Sequence, residues 1–313
     1  MLYELLPPMT NDGSNIEAYV ECSIDLLTSA SVKIDAVNIP EIHDENHMDK
    51  TNLQLCLPKI DARDFALILE ISSYNQIKVI LNRATVYETM EEQLKWIEET
   101  VRQHKTNTIV LVGGSSSKVE YPGPSVLQLS DYIKSHYQQD ELFCGGITIQ
   151  SRRYPEQEKD EPNKLIAKGQ NGVEFFTSQV IYDSVCIKML LRDYALACRK
   201  QDITPKRIFL SFAPIANRKD LDFLRWLGAS IPKHIENELF KADIGIGWRS
   251  TKVAATILED ILSFMQHEAI QVPLGLNIEH STRHNFEISF RFLERLGKLY
   301  QNYMLVNSLG TSS

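Results

Sequence analysis

The chain has 313 residues, of which 43% are hydrophobic and 24% charged, and this composition excludes a disordered or fibrous protein. A formal net charge of −8 disfavours a general nucleic-acid-binding surface. No apolar run is long enough to cross a membrane, and no segment is typical of a cleaved secretory signal. The five cysteines never form a C-x-x-C pair, which indicates a reduced, cytoplasmic protein without a structural zinc site.

Short β-branched runs alternate with longer amphipathic segments along the chain. In chain order, we predict strands at residues 3–6, 32–39, 77–81, 108–112, 145–149, 173–177, 207–212 and 274–278. The helices predicted between them lie at residues 15–30, 65–71, 90–103, 184–200, 219–227 and 252–267. The acidic stretch 155–162 is predicted to be a solvated loop. Alternation of strands and helices predicts a parallel sheet with right-handed crossovers.

The number of strand–helix units is close to the eight that close a TIM barrel of ~250 residues plus insertions. An open doubly wound sheet would carry a glycine fingerprint after its first strand, but Pro7-Pro8 stands there instead. We therefore predict the α/β class, with a single (β/α)8 TIM-barrel domain over residues 1–313. In this fold, the loops after the C-terminal ends of the strands form the active site.

Glu4 is a candidate acid because it lies inside the first apolar run, between Tyr3 and Leu5. If this strand lines a barrel, burial raises the pKa of the carboxyl and makes it suitable as a general acid near neutral pH. The structural alternative is a salt-bridged or solvent-facing glutamate close to a chain terminus.

Three further candidates, one loop and two single residues, lie near predicted strands. Gly113, Gly114 and Ser115 follow the fourth strand, where small residues let backbone N–H groups approach an anion. Lys168 could offer a cation to a phosphate. Gln179 ends the sixth strand, and its amide can donate and accept in one plane, which suits the edge of a pterin. The alternatives are a flexible turn, a solvated lysine and a glutamine bonded to backbone.

Two pairs of histidines are spaced four residues apart, His43 with His47 and His280 with His284. Neither pair has the glutamate of an H-E-x-x-H motif directly after its first histidine. We interpret all four as loop histidines and predict no metal site. The sequence also lacks the G-x-S-x-G elbow of a serine nucleophile.

Five motifs occur in one order over essentially the whole chain. They are Tyr3-Glu-Leu-Leu-Pro-Pro8, Leu111-Val-Gly-Gly114, Phe176-Thr-Ser-Gln-Val-Ile-Tyr-Asp183, Ala213-Pro-Ile-Ala-Asn217 and Leu276-Asn277. This ordered set resembles the strand ends of the methylenetetrahydrofolate reductase family.

The resemblance implies an oxidoreductase of one-carbon metabolism and methionine biosynthesis. Its reaction would be the reduction of 5,10-methylenetetrahydrofolate to 5-methyltetrahydrofolate with NAD(P)H, on a TIM barrel that contains FAD. Glu4 would supply the proton that helps to open the imidazolidine ring to an iminium. Gln179 would contact the pterin, and Asn217 would belong to the same substrate-binding site.

The chain departs from the family at positions that would hold the flavin. The family's Leu-Arg-Gly-Asp loop is represented by Leu111 to Gly114, without the Arg and the Asp. The Tyr-Pro-Glu-x-His-Pro motif after the fifth strand is absent, and Arg218 stands where the family has an aromatic residue. FAD dependence is therefore open at this stage. The residues that we assign to the cofactor are Gly113, Gly114, Ser115 and Lys168.

Two classes of function follow from this uneven pattern. The first is a divergent reductase that binds flavin weakly or transfers hydride directly from NAD(P)H to folate. The second is a non-redox folate-binding or methyl-transfer partner protein on the same barrel. An unrelated barrel enzyme is a third alternative, because a fold alone does not fix a function.

The predicted ligand is a folate, with no nucleic-acid or membrane partner. The sequence leaves open whether the chain forms a homo-oligomer. It also leaves open the choice between NADH and NADPH, for which four arginines predicted in loops are candidates: Arg83, Arg152, Arg153 and Arg218.

Overall fold

A computed structural model of the chain describes residues 1–11, 15–41, 59–114, 120–153, 160–280 and 285–310. Eight parallel strands form a closed barrel in which each strand pairs with the next and β8 pairs with β1. The strands are β1 Leu2–Glu4, β2 Ala36–Ile39, β3 Val79–Ala84, β4 Thr108–Val112, β5 Phe143–Thr148, β6 Phe175–Ser178, β7 Arg207–Phe212 and β8 Leu274–Ile278. The predicted TIM barrel is confirmed.

Helices follow the strands and surround the barrel. In the described part of the chain they are α1 Asn15–Ser29, α2 Ala62–Ser72, α3 Met90–Arg102, α4 Val126–His136, α5 Glu161–Gln170, α6 Ser184–Lys200, α7 Arg218–Trp226, α8 Lys233–Leu239, α9 Ile246–His267 and α10 Phe286–Gly310. None of these helices is both long and apolar enough to cross a membrane.

The prediction of a loop at residues 155–162 is wrong at its end, because Glu161 and Pro162 begin α5. Asp160 caps this helix by accepting a hydrogen bond from the backbone N–H of Asn163. Glu161 is buried rather than solvated, and its Oε1 accepts from Thr148 Oγ1 at 3.1 Å. The last acidic residues of this stretch therefore belong to the start of a helix, where Asp160 is the cap and the carboxylate of Glu161 binds the end of β5.

Apolar side chains fill the lower part of the barrel interior, by which we mean the part toward the N-terminal ends of the strands. This apolar plug consists of Leu2, Ala36, Ile80, Val110, Phe143, Phe175 and Phe209. Two of its rings fit because glycines face them: a Cβ atom on Gly145 would lie 2.4 Å from the Phe175 ring, and one on Gly275 would lie 2.4 Å from the Phe209 ring. Below the plug, a cavity of about 560 Å³ opens at the N-terminal end of the barrel.

An additional layer covers the C-terminal ends of β6 and β7. It consists of α7, α8 and the turn that leads into α9, and we call it the cap. The cap has its own buried cluster, whose members include Val180, Tyr182, Ala213, Ile215, Leu221, Leu224 and Leu239. The turn into α9 is fixed by the guanidinium of Arg249, which donates to the carbonyls of Leu239 and Ile244 at 2.7 Å each.

Candidate functional site

Polar side chains line the barrel interior directly above the apolar plug. Side chains along a barrel strand alternate between the interior and the helix layer, so the residue two positions after a plug residue also points inward. In β1, β2, β3, β6 and β7 the residue two positions after the plug residue is polar, and β8 contributes a sixth polar residue. This polar layer consists of Glu4, Asn38, Asn82, Thr177, Ser211 and Asn277, with Glu279 next in line after Asn277.

The carboxyl groups of Glu4 and Glu279 lie side by side at the C-terminal opening of the barrel, which we call the mouth. The register of β1 with β8 pairs Tyr3 with Ile278, so the next residues of the two strands stand opposite each other. The backbone N–H of His280 donates a hydrogen bond to Glu4, and the backbone N–H of Glu279 donates to the carbonyl of Phe212 at 2.9 Å. Closure of the barrel between β1 and β8 therefore creates a pair of acids.

Both carboxyl groups hold a proton more tightly than a glutamate in water. Burial, followed by repulsion from Glu279, raises the pKa of Glu4 well above its ordinary value. Burial raises the pKa of Glu279 to about 7, although a hydrogen bond from Ser211 acts in the opposite direction. A pair that retains a proton near neutral pH can serve as a proton donor.

Amide groups of the polar layer add unused acceptors around this pair. The side-chain oxygens of Asn38, Asn82 and Asn277 are buried and have no hydrogen-bond partner among the described residues. The Nδ2 group of Asn277 donates to Ser211 Oγ at 3.0 Å and approaches Glu279 Oε1 at 3.4 Å. Because buried amide oxygens are normally hydrogen-bonded, these three favour a ligand that brings N–H donors.

Gln179, predicted to contact a pterin, lies at the C-terminal end of β6. Its Nε2 donates to the carbonyl of Leu227 at 2.9 Å, and its Oε1 accepts from the N–H of Val180 at 2.9 Å. Both halves of the amide are therefore bonded to backbone, which is the alternative that the sequence had left open.

Asn217, the other predicted substrate residue, caps α7. Its Oδ1 accepts from the backbone N–H of Asp220 at 3.1 Å, while Asp220 accepts from the N–H of Asn217 in return. This capping box positions the start of α7 at the exit of β7. A substrate contact by Asn217 stays a prediction.

The described residues assigned to FAD lie on two separate elements, the loop after β4 and helix α5. Gly113 and Gly114 follow β4, and a Cβ atom on Gly114 would lie 2.4 Å from the ring of Tyr121, so the space beside it is filled. Ser115 lies outside the described residues. The Nζ of Lys168 donates to the carbonyl of Ile147 at 2.7 Å, and burial lowers the pKa of this lysine. Lys168 does not fit a flavin phosphate as it stands, and a flavin contact by Gly113 or Gly114 stays a prediction.

The placement of the four candidate arginines in loops is wrong: Arg83 lies in β3, Arg152 and Arg153 lie in a short 3-10 helix, and Arg218 begins α7. Arg83 is a buried residue of β3 whose Nε donates to Gln93 Oε1 at 2.8 Å and whose guanidinium pairs with Glu41. Arg152 lies in a short 3-10 helix, Gln150–Arg153, and the side chain of Arg153 is outside the described atoms. The burial of Arg83 was not predicted because an arginine in a strand usually suggests exposure to solvent. At an outward-facing position it can nevertheless be buried when the surrounding layer supplies its partners, as Gln93 of α3 does here.

Of the four candidate histidines, His280 alone lies in the described part of the chain, and its buried ring has its centroid 5.3 Å from that of Phe286. His43, His47 and His284 lie outside the described residues. Within that part, no three His, Cys, Asp or Glu side chains are arranged to hold a metal ion.

Sequence reasoning identified Glu4 but missed its neighbour Glu279 and two asparagines of the polar layer. A signal was present, because Asn38, Asn82 and Asn277 each lie between two large apolar residues or next to one, near the end of a buried strand. A polar residue at an inward position of a barrel strand has to be hydrogen-bonded or functional.

No protein-family model matches the chain, and no curated protein sequence matches it. Among solved structures, a protein from Clostridium thermocellum that binds two copies of 5-methyl-5,6,7,8-tetrahydrofolic acid is similar over 95% of this chain and 94% of its own, with 20% identity and a TM-score of 0.72. A riboflavin lyase solved with modified FMN and riboflavin is similar over 96% of this chain and 91% of its own, with 8% identity and a TM-score of 0.51. At these identities, the similarity shows the shared fold.

Proposed function

We propose that the chain binds a reduced folate in the mouth of the barrel and protonates it through Glu4. The observation that carries this proposal is the pair of buried Glu4 and half-buried Glu279 inside a layer of amide side chains. The similarity to a barrel that binds 5-methyltetrahydrofolic acid supports the choice of ligand.

The polar layer suits the hydrogen-bonding edge of a pterin. A reduced pterin presents its 2-amino group and ring N–H groups as donors, and the side-chain oxygens of Asn38, Asn82 and Asn277 are acceptors without partners. Pairing these buried oxygens would remove the penalty of about 1–3 kcal/mol that each unsatisfied group carries. The layer can therefore provide both affinity and orientation.

The reaction that we propose is the reduction of 5,10-methylenetetrahydrofolate. The carboxyl of Glu4 donates its proton to N10, the bond from N10 to the bridging methylene breaks, and an iminium forms at N5. Hydride from NAD(P)H then adds to the methylene carbon, which gives 5-methyltetrahydrofolate and NAD(P)⁺. General-acid catalysis of this kind contributes about 10²–10⁴-fold to a rate.

Direct transfer from NAD(P)H is proposed because Lys168 does not fit a flavin phosphate and because the chain lacks the arginine and the aspartate of the family's loop after the fourth strand. Tyr121 fills the space beside Gly114, and the Lys168 ammonium is bonded to Ile147. FAD binding stays a prediction, and the visible absorption spectrum of the purified protein, before and after incubation with FAD and desalting, tests it.

The alternative function is a non-redox folate-binding or methyl-transfer partner protein. It is favoured by the ligand of the similar barrel, because 5-methyltetrahydrofolate is a methyl donor and not the substrate of the reduction. The polar layer would serve such a protein equally well.

Two measurements on the purified protein test these proposals. Calorimetric titration with 5-methyltetrahydrofolate measures binding, and absorbance at the nicotinamide band measures NAD(P)H oxidation with 5,10-methylenetetrahydrofolate. Binding with oxidation supports the reductase. Binding without oxidation, in the presence or absence of FAD, supports the alternative, and absence of binding contradicts both.

A further inference from the structure

The cap gathers positive charge around one buried carboxylate. Glu236 of α8 has a side chain that is 9% exposed, and it pairs with Arg225 at 2.8 Å and with Arg218 and Lys233 at 3.1 Å each. Hydrogen bonds from Arg225 and Lys233 lower the pKa of Glu236 to about 2, so this carboxylate stays ionised. Three cations against one anion leave two positive charges uncompensated within this basic cluster.

The basic cluster lies at the rim of the barrel mouth. Oδ2 of Asp220, in the first turn of α7, accepts a hydrogen bond at 3.0 Å from Nδ2 of Asn285, which lies beyond the exit of β8. At the other end of α7, Leu227 accepts from Gln179 at the exit of β6. The helix that carries Arg218 and Arg225 thus spans the strand exits on one side of the polar layer.

Arg218 is both held in place and accessible. Its guanidinium carbon lies 4.3 Å from the centroid of the Phe240 ring, a cation–π contact that fixes the plane of the group. Its side chain nevertheless remains 64% exposed, and that of Lys233 remains 76% exposed. A planar, preorganised guanidinium beside an ammonium is well suited to binding carboxylates.

We propose that Arg218, Arg225 and Lys233 form an anion subsite for the glutamate carboxylates of the folate, an inference that rests on the proposed function. With the pterin in the polar layer, the opposite end of the ligand lies outside the mouth, where the cap is. The chain carries a net charge of −8, so an anionic ligand needs a local positive region to approach it. Tails with several γ-linked glutamates add carboxylates and bind more tightly.

The test compares ligands with and without the tail. The double variant Arg218→Gln, Lys233→Gln changes two exposed side chains and leaves Arg225 on Glu236. Its matched control is Lys252→Gln, on α9, where the ammonium lies 5.8 Å from the ring of Trp248. Calorimetry at low ionic strength would use 5-methyltetrahydrofolate, its triglutamate form and a tetrahydropterin that lacks the aminobenzoyl-glutamate part.

The expected result is a loss of about tenfold in affinity for the folate and a larger loss for the triglutamate form, while tetrahydropterin affinity and the control stay at the wild-type level. Folate affinity unchanged in the double variant would overturn the subsite and leave the proposed function intact. A rise confined to the KM for NADPH would assign the cluster to nucleotide phosphates and overturn the assignment to the tail. Failure of the wild-type protein to bind either folate or tetrahydropterin would overturn the proposed function itself.

Discussion

The side-chain amide of Gln179 donates to the carbonyl of Leu227 at 2.9 Å and so connects the end of β6 to the cap. The oxygen of the same amide accepts from Val180, which places both of its polar atoms on backbone partners. Each polar atom of the amide has one further hydrogen-bonding position, a second N–H on Nε2 and a second lone pair on Oε1, so a pterin could contact the amide while both bonds persist. One side chain can therefore hold the cap and offer a substrate contact, and the two roles have to be separated by experiment.

Replacement of Gln179 separates these uses. We expect Gln179→Ala to lower the free energy of unfolding by about 1–2 kcal/mol, because it leaves the carbonyl of Leu227 without its partner. Urea denaturation and folate titration measure the two effects, with the exposed Gln170→Ala as control. A tenfold loss of folate affinity at unchanged stability would instead favour the contact with the pterin.

Glu4→Gln tests the general acid. The amide keeps the shape of the protonated carboxyl but cannot deliver a proton, so we expect the rate of folate reduction to fall by about 10²–10⁴-fold. Folate affinity should change little. The comparison is with Glu259→Gln, an exposed position on α9. Turnover that survives in Glu4→Gln would remove Glu4 from the mechanism.

Glu279→Gln tests the raised pKa of the second acid through stability. The pKa is about 7 in the folded chain against an ordinary value of 4.5, so the folded state binds the proton more tightly. This contribution to stability is complete below pH 4.5 and is lost as the pH rises through 7. Glutamine stays neutral throughout.

The variant should therefore gain stability over the wild-type protein as the pH rises from 4.5 to 8, by about 1–3 kcal/mol. Thermal unfolding at several pH values measures this difference. Curves that stay parallel over the whole range would show that the carboxyl of Glu279 is not perturbed by folding.

Gly275→Ala tests the packing of the apolar plug. A methyl group there would lie 2.4 Å from the Phe209 ring, so we expect a destabilisation of about 1–3 kcal/mol. Gly169→Ala is the matched control because its nearest neighbour would be the Lys206 side chain at 3.6 Å, and a helical alanine there should be neutral or stabilising. Chemical denaturation of both variants measures the contrast, and equal stabilities would contradict the packing.

The fold was predictable because short, mainly apolar runs alternate with longer amphipathic segments along the chain, and β4, β7 and β8 have the predicted bounds. The start of α9 was missed because Gly247 interrupts its pattern. A Cβ atom on Gly247 would lie 2.6 Å from Ile288, so contact with α10 requires glycine inside this helix. At this position the close contact with α10 outweighs the low helix propensity of glycine.

The candidate site was less predictable, since Glu4 and Glu279 lie near opposite ends of the chain. Only the pairing of β1 with β8 brings them together, and this contact cannot be predicted from the spacing of residues along the sequence. Gln179 shows the reverse case, in which a residue type suited to ligand binding is bonded to the backbone of a neighbouring element.

The apolar plug has a kinetic consequence. Because Phe175 and Phe209 close the barrel below the polar layer, everything that reaches Glu4 enters and leaves through one opening. A folate lying in the mouth would restrict the path of a nicotinamide to the acid. Two substrates that react there must consequently share the opening or occupy it in sequence, and each product is a competitor for the next substrate.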